Sequence, residues 1–476
     1  SNHILAVWRV FGKSYINGEM DVEASRYFPE WKNRNYIVAT PFARGTMGYQ
    51  GIAEKDVLDV MADVKRRFSI DENRTYLTGL SMGGGGTLWL GLSYPDIWAA
   101  IGPVCPAAPE GTAVLASNAL NIPVHIFHGD ADPVVRPEGV REWVKNLEKE
   151  GVNVEYSEYP GVAHDSWVNA YEEGSVFDWF DQFERNRYPS RVKLSTGRYA
   201  GASAYWLHIN AFTPGEVAKI DAHFVANNQL EITSENIQVF TLNLEGHKQF
   251  RKGQAMQIMI DGNVIELRAR SSITLGFSGS SWGLHDSKFP KLFKRKGMEG
   301  PMSEAIAGRH IYVYGTGGDP SEEELEKRRQ QAEKAAEWSY YRGEFLGRIM
   351  VFPRVLNDQQ LRPSDFESSN LILFGDKTTN SAIASFSDQL PLQLTGSPEE
   401  YGLAFIFPIG NRYVLVNSGI SIMDAPDSDK EIAMISRMTS PAIRYSLNKF
   451  EDYVLYTRDR IISSGRFTNE WKLPNE

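Results

Sequence analysis

The five residues Gly79-Leu80-Ser81-Met82-Gly83 place a hydroxyl between two glycines. They follow an expected strand at 75–78 and precede a segment carrying Leu88, Leu90 and Leu92. A serine on a sharp strand–turn–helix protrudes from the edge of a sheet, and small flanking residues keep the strained turn free of clashes. The helix that follows aims its N-terminal dipole at the turn and favours negative charge developing there. A glycine-rich tight turn with an incidental serine is the plain alternative, and the strand before and helix after argue against it. Serine is a poor nucleophile at neutral pH, so a base and an orienting carboxylate must accompany it.

Those partners are expected at the ends of later strands, acid before base. The apolar run at 124–127 leads into His128-Gly129-Asp130-Ala131-Asp132-Pro133-Val134-Val135. Asp132, in the turn just beyond the strand, is the expected acid; Asp130 competes, but its place directly after His128-Gly129 suits a turn-stabilising side chain. Of nine histidines, six follow Asp132, and among those only His164 precedes residue 188. It sits in Gly161-Val162-Ala163-His164-Asp165-Ser166-Trp167, just after a strand at 154–159, and a lone surface histidine is the competing reading. His125 reads as a core histidine and His128 as support for the acid turn. Acyl transfer also needs two N–H donors for an oxyanion. The backbone of Met82 is the expected first donor; Gly12 or Lys13, in Phe11-Gly12-Lys13-Ser14, is the candidate for the second.

The elements that must position these groups follow from hydrophobic period. Residues 4–10, 36–39, 75–78, 99–104, 124–127 and 154–159 read as strands, each uniformly apolar or nearly so, as in a parallel sheet covered on both faces. Between them Val57, Val60, Met61, Val64 and Phe68, then Val140, Trp143, Val144 and Leu147, recur at helical spacing. Alternating strands and helices imply right-handed βαβ units and a doubly wound α/β sheet over residues 1–187. Residues 188–290 change to short strands with turn signals, including a hairpin turn at Asp261-Gly262-Asn263, and read as a β-sandwich-like module. Its Tyr205, Trp206 and Trp282 are either core or sugar platforms. Residues 291–476 return to alternation as a second, smaller α/β unit. There Gly315-Thr316-Gly317-Gly318 precedes a helix capped by Ser321 with Glu324 three residues on. That loop could cradle a phosphate, but it completes neither phosphate-loop pattern, and a plain turn is the stronger reading.

Composition narrows the partners. The chain has 476 residues, 42% hydrophobic and 23% charged, the balance of a folded globular protein. A net charge of −10 argues against nucleic acid, and no apolar run is long enough to span a membrane. The basic run Lys288 to Lys296 reads as a solvated loop. A single cysteine, Cys105, excludes an intramolecular disulfide, and on the same count no cysteine-based metal site is expected. No cofactor is expected. The chain opens almost inside a strand and without signal-peptide architecture. The expectation is therefore a processed or truncated chain, its sheet completed by a missing N-terminal segment or by a second chain.

The motifs Tyr76-Leu77-Thr78-Gly79-Leu80-Ser81-Met82-Gly83-Gly84, His128 to Val135 and Gly161 to Trp167 resemble the α/β-hydrolase fold. They are most similar to its prolyl-oligopeptidase-like branch, which includes feruloyl, acetyl-xylan and polyhydroxybutyrate esterases. Later segments, Gly297-Met298-Glu299-Gly300-Pro301, Asn370 to Asp376 and Tyr413 to Gly419, resemble parts of large bacterial proteins of the prolyl oligopeptidase family. The resemblance implies Ser81 as nucleophile, Asp132 as acid and His164 as base, acting on a small-molecule or polymer-linked ester. It also implies a secreted or periplasmic setting. The chain departs from the pattern where members carry His-Gly and it has Phe11-Gly12, and in the absence of further N-terminal strands. A serine peptidase and a non-catalytic scaffold of the same fold are the rival expectations; the lack of a visible propeller repeat favours the esterase.

Overall fold

The computed structural model describes residues 35–41, 43, 48–336, 354–426, 430–432, 443–445 and 451–474. The chain divides into two compact units, the first running to Lys288 and the second covering Phe289–Glu476 together with residues 51–55. In the first, β1 (Tyr76–Leu80), β2 (Ala100–Val104), β3 (Val124–Gly129) and β4 (Val154–Tyr159) form a parallel sheet in that order. Helix α1 (Ile52–Arg67) precedes β1, α2 (Met82–Ser93) joins β1 to β2, and α3 (Pro137–Lys149) joins β3 to β4. Because all four strands run parallel, their carboxyl ends lie along one edge of the sheet.

Both faces are covered, and two adjacent residues show how. Side chains alternate across a strand, so Ile101 and Gly102 face opposite ways. Ile101 meets Gly91 of α2, where a Cβ would come within 2.8 Å of the Ile101 side chain. Gly102 meets Val176 and Phe180 of the short helix Ser175–Phe180. Helix α2 is buried along Gly84–Ser93, which explains its apolar character all round. Residues 36–39 depart from the strand expected there: they pair with no strand among the described residues. Ile37 and Val38 are exposed, and Tyr36 instead packs on Tyr76 and Phe177 and donates to Asp181 Oδ1 at 2.6 Å. A β-branched run makes a strand only where a neighbour offers a ladder. Gly12, Lys13 and the strand expected at 4–10 lie outside the described residues.

The same unit holds two five-stranded sheets built from residues 191–284. Their inner faces supply Leu194, Phe212, Phe240, Ile258 and Leu275, and a turn supplies Trp206, to a core of their own. Asp261 and Gly262 both adopt positive φ, 47° and 83°, the two left-handed positions of a type I′ hairpin. Trp206 is buried with Nε1 donating to the Pro189 carbonyl, and Trp282 is buried with Nε1 donating to Asp261. Both are core residues rather than open platforms. Buried Asn118 links this module to the parallel sheet's helical layer, donating to Leu92 O and Ser195 O and accepting from Ser195 N.

In the second unit a seven-stranded sheet starts with four parallel strands, Arg354–Asn357, His310–Tyr314, Asn370–Phe374 and Arg412–Gly419 in spatial order. Gly315 and Gly317 lie against the Thr378-Thr379 backbone, Gly317 N donates to Thr379 O, and Thr316 N donates to Asp358. Two of the loop's amides are therefore committed inside the protein, which favours the plain turn over a phosphate cradle. Ser321 caps the helix that follows, accepting from Glu324 N. Lys294 is not solvated as the basic run suggests. It is buried against Asp452 and the Trp471 ring, because that carboxylate and the Glu299 carbonyl satisfy its ammonium.

Two predictions arise from this framework. Gly139 lies exposed within α3 and a Cβ there would meet nothing within 4 Å. Gly139→Ala should therefore stabilise the protein by about 0.5–1 kcal/mol, read as a shift in the denaturation midpoint. The second concerns acid. Burial holds His125, His128, His208, His247 and His310 below their ordinary value of 6.5. The unfolded chain thus takes up these protons first, and stability is lost as pH falls through 6.5 toward the lower folded values. Carboxylates held low, such as Asp358 and Asp365, add their losses only near and below about pH 4. The thermal midpoint should fall steadily from about pH 7 to pH 5, and a level midpoint across that window would contradict the assignment.

Candidate active site

The chain leaves β1 at Leu80 and turns at Ser81 with φ 54° and ψ −116°, a left-handed conformation uncommon for any residue but glycine. Ser81 N donates to Val104 O, which ties the turn to the end of β2. Met82 then opens α2, where backbone N–H groups have no intrahelical acceptor. The glycines here have unequal tasks. A Cβ on Gly79 would collide with the Gly83 carbonyl, whereas one on Gly83 would meet only the Tyr49 hydroxyl at 3.8 Å. Gly84 and Gly85 are held closely too, against Val104 O and Ala107 O.

Asp132 sits past the end of β3 with its carboxylate fully buried. Oδ1 accepts from Val134 N at 2.8 Å and Val135 N at 3.0 Å, which fixes the carboxylate plane. Oδ2 lies 2.8 Å from His164 Nδ1, and His164 Nε2 lies 2.8 Å from Ser81 Oγ. An ionised carboxylate can only accept, so Nδ1 carries the proton and Nε2 offers its lone pair to the serine hydroxyl. The His164 ring is one-fifth exposed and stands edge-on to Trp167 with centroids 5.4 Å apart. The structure thus brings Ser81, Asp132 and His164 into one hydrogen-bonded line, with Met82 the first residue of the helix that follows Ser81.

The competing residues fall elsewhere. Asp130 Oδ1 accepts from Gly161 N at 2.6 Å, bracing the turn that leads to His164 rather than touching its ring. His128 is wholly buried, with Nε2 donating to Val135 O at 3.0 Å, and so holds the residue whose own N–H donates to Asp132. His125 stacks on Phe127 and hydrogen-bonds Ser157 Oγ, a core position. Two residues at the site had no sequence signal. A Cβ on Gly129 would strike the Val162 and Ala163 carbonyls, so the acid turn and the histidine loop touch through backbone. Cys105 follows β2 with φ 36°, beside the Ser81–His164–Asp132 line.

Residues 54–177, the segment that carries this geometry, match the phospholipase/carboxylesterase family model. This part of the chain has the α/β-hydrolase fold. Among solved structures the hydrolase resembles a thermostable esterase, with 33% identity over 28% of this chain and 37% of that one, TM-score 0.25. It also resembles an S-formylglutathione hydrolase from Staphylococcus aureus (18% identity, 27% and 59% covered, TM-score 0.23). A third is an α/β serine hydrolase homologue from Coxiella burnetii (23% identity, 27% and 57% covered, TM-score 0.22). The chain spans 37% to 59% of the length of these proteins. No curated protein matches the sequence. Among the described residues of the hydrolase, no helix is long and apolar enough to cross a membrane.

Proposed function

We propose that the chain is a serine hydrolase that cleaves carboxylic esters through an acyl-enzyme, on small-molecule or polymer-linked substrates. The observation that carries this is the unbroken line from Ser81 Oγ through His164 to Asp132, both links 2.8 Å long. In the first step His164 Nε2 takes the hydroxyl proton as Ser81 Oγ attacks the ester carbonyl carbon. The carbonyl oxygen becomes an oxyanion facing Met82 N–H, at the positive end of α2. As the intermediate collapses, the imidazolium returns its proton to the departing alkoxide. Water then repeats the sequence on the acyl-serine, with His164 again the base. Asp132 keeps the ring in the tautomer each step needs and offsets the imidazolium charge.

The left-handed backbone at Ser81 further supports this reading, since strain of this kind gathers where a side chain must be presented. Treating the full chain with a fluorophosphonate probe tests it: Ser81 should be labelled and a Ser81→Ala chain should not. A folded chain that stays unlabelled and leaves p-nitrophenyl acetate intact would sink the enzyme reading. If labelling occurs, acetyl and feruloyl esters should be cleaved and proline-containing peptides left whole; the reverse pattern would make the chain a peptidase.

A further inference from the structure

Cys105 has no part in the chemistry just described, yet it stands among the residues that perform it. Its Sγ, a carboxylate oxygen of Asp132 and a ring nitrogen of His164 all lie within 4.8 Å of one another. We propose that Cys105, Asp132 and His164 form a site for a thiophilic divalent cation, zinc or cadmium, whose binding shuts off Ser81. The inhibitory half of this rests on the proposed serine chemistry; the binding half does not.

One thiol, one imidazole and one carboxylate make up a donor set typical of zinc, with a fourth position left for water. Tetrahedral bonds of the usual lengths set ligand atoms roughly 3–4 Å apart, so side-chain adjustments of about 1 Å close the site. The backbone delivers the thiol to this place. Cys105 N donates to Phe127 O of β3 at 2.8 Å, and the φ of 36° turns the residue just past the end of β2, at the edge where Ser81 and Asp132 emerge. Burial pushes the free thiol up to about 12, so the apo site holds a neutral thiol and coordination itself must displace the proton. Binding is a simple exchange without redox change. The ion gains bonds to Sγ, a ring nitrogen and an Asp132 oxygen, and the thiol proton leaves to water. If Nδ1 is the ligand, the proton it shares with Asp132 leaves as well. In either geometry His164 can no longer both accept the Ser81 proton and pair with Asp132.

The chain's single cysteine makes the test unambiguous, because any thiolate-to-metal signal arises at Cys105. Cadmium is titrated into the full-length Ser81→Ala chain while ultraviolet thiolate-to-cadmium charge-transfer absorption is followed. One ion per chain should bind with that band, Cys105→Ser and Cys105→Ala should abolish it, and His164→Ala should weaken binding about tenfold or more. Absence of the band from folded protein, or its persistence at full affinity in His164→Ala, overturns the site whether or not the chain hydrolyses esters. In active protein, zinc should suppress ester hydrolysis, a chelator should restore it, and both Cys105 variants should hydrolyse esters unaffected by zinc. Equal inhibition of wild type and the two variants would overturn the regulatory claim.

Discussion

Replacing Ser81 with alanine should lower turnover of an activated ester by on the order of a million-fold, and Asp132→Asn by about ten-thousand-fold. The alanine removes the attacking oxygen and little else. The φ of 54° at the turn and the Ser81 N to Val104 O bond involve backbone that alanine retains. The thermal midpoint should therefore hold while activity disappears, which separates loss of chemistry from loss of fold. Asp132→Asn acts differently. The native carboxylate accepts on both oxygens, from Val134 N and Val135 N on one side and from His164 Nδ1 on the other. An amide has one accepting oxygen; if the two backbone donors keep it, the NH2 faces Nδ1 and forces the opposite tautomer. Nε2 then carries a proton and cannot receive one from Ser81. Asp130→Asn is the control, since an amide oxygen can still accept from Gly161 N, and activity should stay within about threefold of wild type. A Ser81→Ala chain that kept roughly a hundredth of wild-type activity would place the nucleophile elsewhere.

Why this site could be read from one chain is a matter of topology. A parallel sheet whose strands neighbour each other in sequence order puts every strand's carboxyl end on the same edge. Ser81, Asp132 and His164 each stand just past such an end, so the spacing of apolar runs along the chain brings them together without any knowledge of packing. The choice between Asp132 and Asp130 needed more, and the turn supplies it: Asp132 turns inward to the Val134 and Val135 amides, while Asp130 faces the Gly161 peptide. Hydrophobic period was blind where a partner decides the outcome. Residues 36–39 have strand composition, yet pair with no strand among the described residues. Lys294 has a solvent-seeking type and a buried carboxylate to receive it. Trp206 and Trp282 could serve as core or platform on type alone, and only their burial and the acceptors their indole N–H groups find, Pro189 O and Asp261, decide. Cys105 is the plainest case. Nothing in its neighbours along the chain marks it, because its meaning lies in which strand end stands beside which.

Gly129→Ala should be among the most damaging single-methyl changes in the α/β-hydrolase part, though Gly129 touches no substrate. Its Cβ would fall 2.5 Å from the Ala163 carbonyl oxygen and nearer still to that of Val162, distances that real Cβ atoms do not adopt. Both obstacles are backbone, so no side chain can swing aside. The loop they belong to leads directly into His164, and Ala131 N donates to that same Val162 oxygen. Relief therefore requires moving the histidine loop away from the acid turn, which stretches the one contact the catalytic line cannot lose. Overpacking of this kind costs about 1–3 kcal/mol, and an outward shift near 1 Å at a reacting group costs about a hundred-fold in turnover. Gly161→Ala provides the comparison, because it lies in the same loop with φ 71° but with nothing within 4 Å of its Cβ. It should lose about 1 kcal/mol of stability from backbone strain and keep most of its activity. If Gly129→Ala instead matched Gly161→Ala in turnover, the acid turn and histidine loop would move independently. The hydrogen bond between Asp132 and His164 would then owe nothing to the backbone contact beneath it.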